Sequence, residues 1–351
     1  MKVADYAPLV YTPGFFDPSK AYQWYRPNLD GAYIEGVELA KKRDLANFAE
    51  LMKAGIKNAA MLTDLQSDFR GKSDQGVGRL PVQGTDDVVL RVCARLINGT
   101  VQDHYSGLIW SEDGHSPNHI SYGANWIDRN GMPLDPRKHG NACILELFDE
   151  SKAVFVAKAF GPDGTPYEVG HYQRRFDPRD TVNYWKHLQA TGQGPIWVFN
   201  IHCVLGTEGV SLHPLLQEVV AFMCGARMIE PTIVFKGHIN NTDWFGPFEP
   251  CRPDSGHPQG RFQKDIVDQF RAFDTVEFSG VAEDFCDFNA KRQVMKYFDG
   301  TEFFGKMFFL SDGTAPIIPN APHVQELNKE ARDKGVKFIT HDSPFGQLAA
   351  V

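Results

Sequence analysis

The chain has 351 residues, 42% of them hydrophobic, and a formal charge of −8 from 36 basic and 44 acidic side chains. That size and apolar content support a large buried core, and the acidic balance argues against phosphate backbones or anionic lipid as partners, since both reward clustered Lys and Arg. No apolar run reaches the roughly 18 residues of a membrane span, and the start MKVADYAPLVYTPGFF lacks the charged-then-apolar layout of a signal peptide, so a cytoplasmic protein with a small-molecule partner is expected.

Residues 1–56 are rich in Pro and aromatics before a helix-like stretch at 36–55, and they read as an N-terminal extension. From about residue 57, short β-rich runs ending in polar residues alternate with helical patterns, the signature of a parallel sheet covered on both faces. The runs are NAAMLTD (58–64), YSGLIWSED (105–113), IWVFNIHC (196–203), TIVFKG (232–237), TVEFSGVAED (275–284), MFFLSDG (307–313) and VKFITHD (336–342). Between them, 86–97, 213–228, 262–273, 287–298 and 323–335 place apolar residues three or four apart, as helices do. Residues 124–195 read as an insertion, with a hairpin at 153–170 turning on Pro162-Asp163-Gly164 and a helix at 181–194. A lid, a subunit contact or decoration would each fit it, and homo-oligomerisation stays open. Six cysteines (Cys93, Cys143, Cys203, Cys224, Cys251, Cys286) with no CxxC spacing fit neither a disulfide scaffold nor a zinc ribbon; most read as small buried hydrophobes.

Ligands of open α/β sheets bind beyond the carboxyl ends of the strands. Four runs end on useful chemistry there: one at Asp64, one at Asp113 followed by His115, one at Lys236, and one that leads to Cys286 at the start of a helix. Each has a bland explanation, because strand-end Asp residues cap loops, lone Lys residues are solvated and most cysteines are buried filler. Together, an acid, a cation and a thiol on one sheet edge are what nucleophilic catalysis needs.

The order of these motifs resembles the isochorismatase-like cysteine hydrolases, and among them the nicotinamidases. TDLQSDF (63–69), EDGHSPNHISY (112–122), NIHCVLGTEG (200–209), FKGHINNTDWFGPF (235–248), GVAEDFC (280–286) and SDGTAP (311–316) stand in that family's order. The resemblance implies a three-layer α/β/α fold with a mainly parallel six-stranded sheet over residues 57–351. It implies Cys286 as nucleophile, Asp64 as catalytic acid and base, Lys236 beside them, and an oxyanion hole from the N–H groups of Ala282 and Cys286 after a cis Val281–Ala282 bond. Phe69 and Phe199 would pack on the substrate ring. Asp113, His115 and His202 would hold a divalent metal, zinc first with manganese or iron as alternatives, a donor set that suits those ions. The implied reaction is hydrolysis of nicotinamide to nicotinate and ammonia, a step of NAD salvage and pyridine nucleotide biosynthesis.

The residues fit those roles. Lys236 and the N-terminus of the helix opened by Cys286 would both favour the thiolate, so ready ionisation is expected. His119 is expected to hydrogen-bond its surroundings rather than bind metal, and His213, His238 and His257 to be surface or capping residues. The chain departs from the family pattern at Phe199-Asn200, where Trp-Pro is usual, and at 243–248, where Asp-Trp-Phe-Gly-Pro-Phe replaces Asp-Ser-Tyr-Ser-Ala-Phe. Those departures admit a sister amidase acting on a pyrazinamide-like or carbamoyl compound. A non-haem iron oxygenase would use a similar donor set, but the alternating strand and helix pattern opposes its fold. An inactive binding protein is opposed by the intact Asp64, Lys236 and Cys286 set.

Overall fold

The computed structural model describes residues 3–71, 78–161 and 164–345. In chain order their strands are β1 (Asn58–Thr63), β2 (Gly107–Asp113), β3 (Trp126–Ile127), β4 (Ala142–Asp149), β5 (Val154–Phe160), β6 (Pro166–Arg174), β7 (Ile196–Phe199), β8 (Thr232–Lys236), β9 (Thr275–Val281), β10 (Met307–Ala315) and β11 (Lys337–Ile339). The α-helices are α1 (Leu29–Arg43), α2 (Phe48–Lys53), α3 (Thr85–Val101), α4 (Pro178–Ala190), α5 (Pro214–Arg227), α6 (Lys264–Asp268), α7 (Cys286–Tyr297) and α8 (Pro322–Asp333).

Six strands form one parallel sheet in the order β11-β10-β9-β1-β2-β8. Successive side chains of a strand point to opposite faces, and here both faces are dry. Ala60, Leu62, Leu108 and Trp110 join a cluster with α3 and α5, whereas Met61, Ile109, Phe278 and Phe309 join one with α7 and α8. The expected three-layer α/β/α architecture with a six-stranded sheet is therefore present.

The run at 196–203 does not belong to that sheet. Its strand, β7, pairs antiparallel with β4 in a second sheet ordered β3-β6-β5-β4-β7. The free edge of β2 is already taken by β8, with Asp113 opposite Lys236. The expected hairpin forms as β5 paired antiparallel with β6; Pro162 and Asp163 of its turn lie outside the described residues. Trp126, Leu145, Phe155, Tyr184 and Val198 give this second sheet and α4 a core of their own.

The helix-like 36–55 stretch is two helices. Asp44 ends α1 in the left-handed conformation (φ 52°), and Asn47 with Glu50 forms a capping box that starts α2. Helix α1 lies on α5 at very short range: a Cβ on Gly36 would stand 2.3 Å from the Phe222 carbonyl oxygen, and one on Gly225 2.2 Å from that of Tyr33. Among the described residues no helix is long and apolar enough to cross a membrane.

Candidate active site

Four of the residues expected to carry chemistry follow or end strands at the carboxyl edge of the parallel sheet, whereas His202 follows β7 of the second sheet. Asp64 directly follows β1, Asp113 ends β2, Lys236 ends β8, and Cys286 opens α7 five residues after β9. Strand pairing sets Asp113 beside Lys236 and Thr63 beside both Ser111 and Gly280, which draws the four groups into one cluster.

Lys236 is the hub. Its Nζ lies 2.8 Å from Asp64 Oδ2, 2.8 Å from Asp113 Oδ1 and 3.6 Å from Cys286 Sγ, and all four side chains are buried. Burial alone would discharge the amine, but the two carboxylates and the thiol beside it hold its pKa well above the ordinary lysine value. Burial raises the Asp64 carboxyl against the pull of Lys236, and Asp113 beside it adds to the rise. Asp113 goes the other way: despite burial, His115 and Lys236 hold it well below the usual carboxylate range.

The thiol corrects one expectation. Burial lifts Cys286 well above the ordinary cysteine value, Lys236 opposes that, and the Asp64 and Asp113 charges add to it. Burial is thus the main influence holding Cys286 toward the neutral thiol, and the lysine that opposes it is shared with two carboxylates. A resting thiol needs a base within reach at the moment of attack. Asp64 is the carboxylate that meets the thiol through a side-chain hydrogen bond. Its Oδ1 accepts a hydrogen bond from Ser111 Oγ at 2.6 Å, and its backbone adopts the left-handed conformation (φ 48°), which a non-glycine residue adopts only when its surroundings impose it.

On the other side of Asp113, one ligand atom each from Asp113, His115 and His202 fall within 4.8 Å of one another, all buried. Both imidazoles are oriented from behind: His115 Nδ1 faces the Gly237 carbonyl at 2.7 Å and His202 Nδ1 that of Asn200 at 2.7 Å. The Nε2 atoms of both rings then face Asp113 Oδ2, at 2.7 and 3.5 Å. Two imidazole nitrogens and a carboxylate oxygen thus converge, a donor set that fits a divalent metal. Gly237 is required here. It has φ 80°, and a Cβ on it would stand 2.5 Å from both Asp113 Oδ1 and His115 Cε1.

His119 is apart from the set. Its Nε2 faces the Thr242 carbonyl at 3.1 Å and its Nδ1 accepts the Ser121 N–H at 3.3 Å, so both nitrogens are used, as expected. His213 caps α5 by accepting the Leu215 N–H, but it is fully buried, its Nε2 directed at the Ala21 carbonyl. The Val281–Ala282 peptide bond is cis.

A pocket opens over these groups, lined by Cys286, Ala282, Lys236, Asp113, His115 and His202 on the polar side. Phe69, Phe199, Phe245 and Phe285 face them with Leu80 and Ile317. Phe69 and Phe199 both line this pocket. Phe245 and Phe285 were missed, as was Trp197 of β7, whose ring meets Phe285 at 5.0 Å, edge to face. Three further residues escaped sequence reasoning. Gln66 holds Asp113 in place by accepting its N–H and donating to its carbonyl, both at 2.8 Å. Ser111 serves Asp64, and Asp243 lines the pocket hydrogen-bonded to Ser121. Gln66 and Asp243 sit inside quoted motifs, so their position was available; their partners were not.

No family model matches the chain, and no curated protein does. Among solved structures it is similar to the yeast nicotinamidase Pnc1p bound to the inhibitor nicotinaldehyde, with TM-score 0.48 and 16% identity over 81% of this chain and 99% of that one. It is also similar to the Acinetobacter baumanii nicotinamidase pyrazinamidase (TM-score 0.45, 17% identity, 82% and 97% covered). A third similar structure is the Pyrococcus horikoshii pyrazinamidase in complex with zinc (0.42, 16%, 81% and 99%). At these scores the likeness carries no functional assignment.

Proposed function

We propose that the chain is a metal-dependent cysteine amidohydrolase of the isochorismatase-like family, with nicotinamide as its leading substrate. One observation carries the reading: a buried lysine bridges a thiol and two carboxylates, one of which also faces two metal-competent imidazoles.

In the proposed mechanism Cys286 Sγ attacks the amide carbon while Asp64 takes the thiol proton, and Lys236 offsets the charge that develops on sulfur. The oxygen of the tetrahedral intermediate turns toward the N–H groups of Ala282 and Cys286. Asp64 passes its proton to the departing ammonia, which leaves an acyl thioester on Cys286. Asp64, again a carboxylate, then draws a proton from the water that attacks the thioester. The carboxylic acid leaves, and the sulfur takes its proton back from Asp64. Asp113, His115 and His202 would hold a divalent ion, which would supply Lewis acidity toward a ring nitrogen or comparable donor of the substrate. The phenylalanine wall takes the flat face of the ring and excludes water.

The assay is ammonia release from nicotinamide, pyrazinamide and a panel of other small amides. Turnover of nicotinamide is expected. Turnover confined to non-pyridine amides would keep the machinery and replace the substrate, an outcome that Phe199 in place of the usual Trp makes the second reading. No turnover of any amide by metal-loaded protein would sink the proposal. Chelation should abolish activity, and His202→Ala should lower bound divalent metal; unchanged metal content would remove His202 from the site.

A further inference from the structure

We propose that Arg174, the last residue of β6, is a positioning residue of the metal centre, clamping the loop that carries His115 against the loop that follows Lys236. This role rests on the metal reading of the site above. Arg174 belongs to the antiparallel sheet and is only 2% exposed. Its Nη2 donates to the Asn240 carbonyl at 2.9 Å and to the Asn118 carbonyl at 3.4 Å. Asn118 lies three residues beyond His115, and Asn240 three beyond Gly237.

The segments joined in this way position the metal ligands. Gly237 O is the acceptor that fixes the His115 ring. The Asn240 carbonyl also accepts the Ile120 N–H at 2.9 Å, so one oxygen ties the two loops both to each other and to Arg174. Asn125, at the entrance to the second sheet, donates to the Pro117 and His119 carbonyls at 3.1 and 3.0 Å, and its own carbonyl accepts the Arg175 N–H at 2.8 Å. The metal loop is therefore gripped from outside by the start of the insertion and by the end of β6.

A buried guanidinium is costly without a bonded carboxylate, and the charges of Asp180 and Asp177 offset only part of what burial costs Arg174. Among the described residues, Arg174 Nε and Nη1 have no hydrogen-bond partner at all. A position that only filled space would be served better by a hydrocarbon. What the charge does achieve is a hold on two carbonyls that no apolar side chain could grip. Groups bonded directly to metal ligands typically set affinity by about 10–100-fold, and Arg174 acts one contact further out, through the loops that carry them.

The test uses the full chain with Arg174→Met and Arg174→Lys, titrated with zinc against a chromophoric chelator. Helical and sheet content and the rate of Cys286 alkylation are followed alongside. Zinc affinity should fall about 10–100-fold in Arg174→Met and recover in part in Arg174→Lys, which can reach one carbonyl. Secondary structure and alkylation should stay at wild-type values, which a merely structural loss would not permit. A folded Arg174→Met that binds zinc as tightly as wild type overturns the role. Should Arg174→Met not fold, unchanged affinity in Arg174→Lys overturns it equally. A wild type that binds no divalent ion overturns the metal reading itself and takes this role with it, a result distinct from wild-type binding that is indifferent to Arg174.

Discussion

In the parallel sheet, β1 and β9 are buried along nearly their whole length, their side chains entering a different helical layer on each face. In the antiparallel sheet, β5 alternates between buried and half-buried positions, and β6 is mostly exposed or half-buried until Arg174. The difference shows where a buried charge can be used. A strand end sealed between two helical layers can hold Asp64, Asp113 and Lys236 away from water, where each fixes the charge state of the next. A sheet wet on one face leaves its charges screened, and its side of the site offers aromatic rings and the His202 imidazole just beyond β7.

The comparison can be broken at several points. The largest effect should come from Cys286→Ala, which is expected to lower amide turnover by at least about 10³-fold with unchanged secondary structure; retained turnover would place the nucleophile elsewhere. Next is Glu277 on β9. Burial alone would raise its carboxyl, but Arg95, bound at 2.6 and 2.8 Å, and His104 pull it down to about 2. Glu277→Gln leaves that guanidinium buried and should cost about 3–5 kcal/mol in urea unfolding.

Because the folded value lies below the ordinary 4.5, the Glu277 contribution is complete above that pH and is lost as pH falls toward 2. A shift of this size is worth about 3 kcal/mol. The acid limb of the stability curve should flatten in Glu277→Gln, and an unchanged limb would assign it to other carboxylates. Phe155→Ala, in the core of the second sheet, should cost about 3 kcal/mol, near the low end for such a truncation because a half-open sheet can relax into the space. Cys286 alkylation should not change in that variant. The smallest effect should be that of Asp149→Asn on β4. Hydrogen bonds from Ser151 and Lys152 bring its carboxyl to about 2 as well, but it faces solvent, so the urea midpoint should not move measurably.

The parallel sheet was legible in the sequence because strands buried on both faces read as unbroken apolar runs ending in polar residues. Its site was legible because strand ends converge, so that Asp64, Asp113, Lys236 and Cys286 could be placed on one edge before any distance was known. Less legible was whatever depends on pairing. The run at 196–203 looks like any core strand, and only its hydrogen bonds to β4 show that it closes the second sheet. The upward shift of Cys286 runs against the expected ready ionisation because the sequence shows a lysine and a helix start, but neither the burial of the thiol nor two carboxylates sharing that lysine. Phe245 and Phe285 meet Phe199 and Trp197 only through the packing of two sheets, and no spacing in the chain encodes that contact.

The most direct test of Cys286 as the acylated nucleophile is intact-mass and peptide mapping of metal-loaded protein quenched during turnover of nicotinamide. A nicotinoyl mass increment confined to the peptide containing Cys286, and absent from Cys286→Ala, is the predicted result. Turnover with no acyl adduct in a rapid-quench time course, or an adduct on another residue, would contradict it.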